Sequence, residues 1–181
     1  MWASSRPNIL SGRTTRAGAS DILIGALRSG SDLSGLRTEA LFDDPYAIVG
    51  RPAHPLVLRG RGATLADLAQ QEWVAQRPGT PIRAAFDSLV ENQTVPPRTS
   101  IETSSLVLTR AIILQSDRLS MLSRRQIAIE EREGLLTCVP IAEDVRERMG
   151  TRTIGMTMRE TWLPSRLQSI FLERLRRAAA S

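Results

Sequence analysis

Two periods of apolar spacing take turns along this chain. Short apolar runs of extended character recur at DILIGAL (21–27), EALFDDPYAIVGR (39–51), WVAQR (73–77), VPPRTSIET (95–103), RLSMLS (118–123), LLTCVPI (135–141) and RTIGMTMR (152–159). Each reads as a strand, the second interrupted at Asp44-Pro45 and resuming at Tyr46–Val49. Helical spacing fills the intervals. TLADLAQQ starts a helix with Thr64 as N-cap and Asp67 three residues on, close to a capping box. Residues 81–91 place Ile82, Ala85, Phe86, Leu89 and Val90 on one core-facing stripe, with Pro81 suited to the first turn. SSLVLTRAIILQS is apolar nearly all round and is expected to lie deep. RQIAIEEREG (125–134) reads as a helix closed by Gly134, and EDVRERMG (143–150) as a loop or one helical turn. The last helix, TWLPSRLQSIFLERLRRAAA, lines up Leu163, Leu167, Ile170, Phe171 and Leu175. Strands alternating with helices predict an α/β fold with mainly parallel pairing. Residues 1–20 read as irregular, 28–38 as a loop and RPAHPL as a turn bounded by prolines.

Composition narrows the chemistry. The 181 residues suffice for one domain or two small lobes, and 41% are apolar, enough for a core. Only 4% are aromatic, so Leu, Ile, Val and Ala must fill that core. All 24 basic residues are arginines, which excludes a lysine nucleophile. The net charge of +5 is scattered. Its densest groups, Arg124-Arg125 and Arg174, Arg176 and Arg177, sit beside Glu130, Glu131, Glu133 and Glu173, as on solvated helix faces. No aromatic interleaving suggests a nucleic-acid groove. The single Cys138 excludes an intrachain disulfide and a multi-cysteine metal site, and its apolar setting predicts a buried, inert thiol. The single His54 argues against a histidine metal cage, and no cofactor is indicated. No apolar run approaches a membrane span, and the first twenty residues lack a signal-peptide centre, so the expected location is cytoplasmic.

No catalytic constellation emerges. A Ser-His-Asp triad would need His54, which lies in a proline-rich turn and reads as an exposed or locally bonded loop histidine. Asp43 and Asp44 are adjacent on an extended chain and point apart. Glu130, Glu131 and Glu133 form a helix face, and Gly60-Arg61-Gly62 lacks the preceding strand and the lysine of a phosphate loop. Binding is better supported. Trp73–Gln76 leads through Pro78-Gly79-Thr80 into a helix, and Thr99–Glu102 leads through Thr103-Ser104-Ser105 into the next. Each turn offers free backbone N–H groups and a hydroxyl at a helix N-terminus, which suits a carboxylate, a phosphate or a sugar hydroxyl. In an open α/β sheet such turns lie beyond the carboxyl ends of the strands, where ligands bind. Helix capping alone is the simpler role for any one turn; two turns in one sheet favour a ligand cleft.

The ordered set DILIGAL, EALFDDPYAIVGRPAHPL, RPGTPIRAAFD, IETSSLVLTRAI, RLSMLSR, EGLLTCVPI, RTIGMTMR and WLPSRLQSIFLERLR resembles the effector-binding domain of LysR-type transcriptional regulators. Its wording is nearest the galactose-binding-protein-regulator subgroup, from about Asp21 to Arg177. The resemblance implies a type 2 periplasmic-binding-protein-like fold, with two α/β lobes joined by crossover strands and closing on a small sugar or organic acid to control transcription. It puts Gly79 and Thr80 in one turn facing the cleft, and Thr103 and Ser104 at the second helix N-terminus, next to Ser105. Gly25 falls at the end of the first-lobe strand. Nothing before Asp21 matches the family's helix-turn-helix, and about sixty residues of the first lobe have no counterpart. The resemblance thus implies a truncated regulator with one nearly complete lobe, without DNA binding of its own and prone to self-association at its open sheet edge. A homodimer, or a heterodimer with a full-length regulator, is the expected assembly. The competing readings are an interaction fragment acting on intact regulators, a stand-alone solute-binding protein and, last, an enzyme.

Overall fold

The computed structural model describes residues 21–27, 33–91, 93 and 97–180. The segment 1–20 lies outside these residues, as does the 28–32 stretch of the expected loop. The elements in order are β1 (Ile22–Ala26), β2 (Leu36–Gly50), α1 (Pro55–Leu58), α2 (Leu65–Ala69), β3 (Glu72–Ala75), α3 (Pro81–Val90), β4 (Arg98–Glu102), α4 (Leu106–Leu114) and β5 (Ser120–Ser123). A 3-10 turn, Arg124–Ile127, then leads into α5 (Ala128–Arg132), β6 (Thr137–Cys138), α6 (Glu143–Met149), β7 (Thr151–Arg159) and α7 (Arg166–Ala179). The chain divides into two compact units: residues up to Asp43 together with those from Arg152 onward, and Asp44–Thr151.

The Asp44–Thr151 unit is built on β4, β3 and β5. β3 and β4 pair in parallel, and an isolated parallel bridge, Trp73↔Leu119, ties β3 to the entry of β5. The Val74 N–H donates to the Leu119 carbonyl at 2.8 Å, and the Leu119 N–H to the Glu72 carbonyl at 2.9 Å. The second half of β2 then runs antiparallel to β5 and to β6. Alternation along β2 feeds both faces: Ile48 joins a core with Trp73, Ile82, Phe86, Leu89, Val145 and Met149, while Val49 joins another with Ile113, Leu122, Ile127 and Leu136. The Thr64–Asp67 capping box forms as expected, and Arg59 and Arg61 both bind the Asp67 carboxylate. The backbone N–H of Thr64 and these arginines hold that carboxyl far below its usual range.

In the other unit β1 pairs antiparallel with β7, from Ile22↔Met158 to Ala26↔Ile154. β7 has β2 as its other neighbour. α7 packs through Leu172 on Met156, Met158 and Trp162, with Ile22, Leu41 and Leu175 alongside. Its capping box at Ser165 is complete, and Arg176 grips Glu39 with two bonds of 2.6 and 2.8 Å. Gly155 sits where no side chain fits: a Cβ there would come within 2.3 Å of the Glu39 carbonyl oxygen and 2.8 Å of Leu27.

Several expectations change. Among the described residues, parallel pairing joins β3 to β4 and, through isolated bridges, Trp73 to Leu119 and Ala63 to Ile141; the strand pairs of β2 with β5 and β6, and of β1 with β7, are antiparallel. An alternating strand–helix pattern does not distinguish these arrangements. β2 is not interrupted at Asp44-Pro45. Pro45 stands one residue before the ladder with β5 begins at Tyr46↔Ser123, where its missing N–H is not needed. α6 is a full helix that buries Val145 and Met149. α4 is not deep: only Thr109 and Ile113 are buried, and Val107 is 75% exposed. On α7 the buried residue is Leu172, while Leu167, Ile170 and Phe171 face out; Leu163, expected on the same helix, precedes it and is exposed.

Candidate functional site

β3 and β4 run in parallel, so both hydroxyl-bearing turns leave the same end of the sheet. In the first, Gly79 adopts φ +85°, a left-handed conformation that favours glycine, and delivers Thr80 to the N-cap of α3. The Thr80 Oγ accepts the Arg83 N–H at 3.2 Å and donates to the Arg77 carbonyl at 3.2 Å. Pro81 occupies the first turn, as its sequence position predicts. In the second turn the Thr103 N–H continues the sheet by donating to the Ala75 carbonyl at 3.0 Å. The buried Thr103 Oγ1 accepts the Ser105 N–H at 3.1 Å, and the Ser105 Oγ accepts the Leu108 N–H at 3.2 Å as N-cap of α4. Ser104 between them is exposed.

Arg83 locks the two turns together. Its guanidinium donates to the Gln76 carbonyl at 3.0 Å, to Asp87 at 2.7 Å and to Glu102 at 2.5 Å. These two carboxylates, Glu102 foremost, push the Arg83 pKa further up. The first turn of α3 is thereby fixed to the end of β3 and to the end of β4. Of the six residues singled out in the sequence, Gly79, Thr80, Thr103, Ser104 and Ser105 come together at this sheet end. Gly25 does not join them; it lies on β1 in the other unit, opposite Gly155.

A third turn of the same kind escaped the sequence reading. β5 ends at Ser123, the N-cap of the turn that follows, with Gln126 completing a capping box. The fully buried Ser123 Oγ donates to the Asp44 carboxylate at 2.5 Å and accepts the Arg125 N–H at 3.1 Å. The Ser-x-x-Gln spacing in SRRQ was the available signal. Asp43, by contrast, accepts from the Thr153 hydroxyl at 2.9 Å within its own unit. The two aspartates point apart, as adjacent residues on a strand must.

His54 is bonded as one of the two expectations had it, and it is fully buried rather than exposed. Its Nδ1 accepts the Leu56 N–H at 3.1 Å as N-cap of α1, which leaves the proton on Nε2, 3.1 Å from the Asp117 carbonyl. Protonation would turn the capping acceptor into a second donor facing an N–H. Burial is the largest cause holding the His54 pKa below its ordinary 6.5, with the Asp117 carbonyl pulling the other way. The unfolded chain therefore binds this proton more readily. Stability is complete above the unfolded value and falls as pH drops from there toward the lowered folded value. Urea midpoints between about pH 5 and 7.5 are expected to fall on acidification in the parent chain and to stay level in His54→Gln. An equal slope in both chains would show that His54 is not the titrating group.

Cys138 is half-buried, and burial, seconded by Glu131, pushes its thiol up to about 11, which leaves it protonated at neutral pH. Among the described residues no cluster of His, Cys, Asp and Glu could hold a metal ion, and no helix is long and apolar enough to cross a membrane.

Residues 13–180 match the family model described as the LysR substrate binding domain. The regulator GalR of Pseudomonas putida is 32% identical over 152 residues, covering 83% of this chain and 36% of its own length. GbpR of Azospirillum brasilense is 31% identical over 126 residues, covering 69% and 37%. This chain thus spans little more than a third of these relatives. Among solved structures, the CcmR regulatory domain of Synechocystis PCC6803 in complex with 2-PG superposes with a TM-score of 0.77 at 19% identity, over 92% of this chain and 77% of that one. The effector-binding domain of QuiR in complex with shikimate gives 0.73 at 14% identity, over 93% and 76%. These likenesses place the fold among LysR regulatory domains, which are periplasmic-binding-protein-like.

Proposed function

The chain belongs to the LysR substrate-binding domain family, a family of effector-binding regulatory domains rather than enzymes, and from that premise we propose that it senses a small sugar or carboxylate to control transcription. The observation that supports this reading is the Arg83 lock. It holds two helix N-termini at one sheet end and satisfies its own charge on Asp87 and Glu102. Gly79 gives the ligand close backbone approach, and Thr80, Ser104 and Ser105 offer hydroxyls. Thr103, buried and bonded to Ser105, sets the geometry of the second turn. The neighbours solved with 2-PG and with shikimate, the latter a hydroxylated carboxylate, suit the same class of ligand.

Thermal unfolding of the chain against a panel of sugars and organic acids tests this reading. One compound is expected to raise the midpoint, since binding to the native state stabilises it. Thr80→Val is expected to abolish that rise while lowering the unliganded stability by only about 1 kcal/mol through loss of the cap. Thr80→Ser is expected to restore both. A shift that survives in Thr80→Val removes Thr80 from the site. A second reading, an interaction fragment acting on full-length regulators, is favoured by the exposed apolar face of α4, with Val107 75% and Leu108 47% exposed.

A further inference from the structure

Arg83 ties the first turn to the second; another arginine ties the helix of the second turn to the third. β5 runs parallel to β3 through the Trp73↔Leu119 bridge, so the turn at Ser123 leaves the same end of the sheet as those at Thr80 and Thr103. Arg110 lies on α4, just over one turn beyond the Ser105 cap. Its Nη1 stands 3.1 Å from Oε1 of Glu130 on α5, and its Nη2 donates to the Gln126 carbonyl. Gln126 is the residue whose side chain accepts the Ser123 N–H at 3.1 Å and so closes the third turn. One guanidinium thus joins the helix of the second turn to the backbone of the third.

This junction is imperfectly satisfied. The side chains of Arg110 and Glu130 are only 29% and 16% exposed. Arg110 Nε and Glu130 Oε2 are both buried, and neither has a partner among the described residues. A buried donor or acceptor left without a bond is destabilising, and a mostly buried ion pair often stabilises no better than apolar side chains of its size. Around the pair the seam is apolar: Ile113 of α4 clusters with Leu122, Ile127 and Leu136, and Leu106 at the start of α4 packs alongside. Apolar contact of this kind holds α4 down without fixing its direction. The guanidinium, bonded at two fixed angles to α5 and to Gln126, supplies direction rather than stability.

We propose that Arg110 and Glu130 are positioning residues for the effector site, fixing the turn at Ser104 and Ser105 against the turn at Ser123 through α4. This rests on the reading of that sheet end as the effector site. The pair acts through the turns and not on the ligand: it sets the placement from which Ser104 and Ser105 present their hydroxyls, as Arg83 sets that of Thr80.

Urea unfolding and native-state amide exchange of Arg110→Met with Glu130→Leu, beside each single variant and the parent chain, test the assignment. Each single variant leaves one charge without its partner and is expected to lower the midpoint. The double variant is expected to unfold at or above the parent midpoint, while the Ser105, Leu108 and Arg125 amides, bonded to the Thr103, Ser105 and Ser123 hydroxyls, exchange about tenfold faster. A merely structural pair would move midpoint and protection the same way, so a double variant below the parent in both overturns the proposal, as does unchanged protection at all three amides. Arg110→Lys retains the charge but not the planar fork, and is expected to loosen the same amides with little change in midpoint; it decides should the double variant fail to fold. With D-galactose, shikimate and inorganic phosphate as probes, any rise in melting temperature seen in the parent is expected to be largely lost in the double variant. A rise that survives intact beside loosened amides separates the pair from the site and overturns the proposal. A parent chain that none of the three stabilises counts against the effector reading, and the exchange result still decides whether the pair positions the turns.

Discussion

Trp73→Ala lowers the stability of the Asp44–Thr151 unit by about 3–5 kcal/mol, the usual cost of emptying a buried tryptophan site. Trp73 is wholly buried at the centre of β4-β3-β5. Its indole N–H donates to the Leu68 carbonyl at 3.1 Å, and its ring lies 4.9 Å from that of Phe86. The substitution removes packing against both α2 and α3 and one hydrogen bond to the Leu68 carbonyl, which keeps the Gln71 N–H. Trp73→Phe retains most of the volume and is expected to cost about 1–3 kcal/mol, from the smaller ring and the lost indole hydrogen bond. Urea unfolding followed by far-UV circular dichroism separates the two. An alanine variant with a parent-like midpoint would mean that this core can collapse around the gap.

Gly155→Ala costs about 3 kcal/mol or more, at the upper end of overpacking, because the new methyl group meets backbone rather than a side chain that could turn away. The Glu39 carbonyl that blocks it belongs to β2, and Arg176 ties the Glu39 side chain down as well. Gly25, directly opposite Gly155 in the β1–β7 ladder, is the control. A Cβ there meets nothing within 4 Å. Gly25→Ala is therefore expected to be neutral or to stabilise by about 0.5–1 kcal/mol through the unfolded chain. Equal urea midpoints for the two variants would contradict the crowding at Gly155.

The sequence speaks clearly where local rules and tertiary packing agree. The Ile82, Phe86 and Leu89 stripe, the Thr80 and Pro81 start of α3 and the Thr64–Asp67 box were all readable, since each is decided within ten residues. The turns around Gly79 and Ser105 were readable for the same reason. Their joining by Arg83 was not, because Glu102 lies nineteen residues away and no periodicity links the two. The apolar faces of α4 and α7 misled for a different reason. Spacing shows that a face is apolar, while burial also requires a partner surface. Val107 and Leu167 have none among the described residues. Asp44-Pro45 read as a break because a proline was weighed without its neighbours; the strand passes through it where the ladder with β5 has yet to begin. Ser123 ended a strand segment with a readable Ser-x-x-Gln cap, but its second bond depends on Asp44, seventy-nine residues earlier.

The uninterrupted course of β2 through Asp43 and Asp44 carries a constraint of arithmetic rather than chemistry. Side chains along a strand alternate, so within the Asp44–Thr151 unit Ser123 finds Asp44, and Ile48 and Val49 reach their separate cores, only if the count between them is kept. One residue inserted between Pro45 and Ile48 would send Ile48 and Val49 to each other's cores or be expelled from the ladder as a bulge.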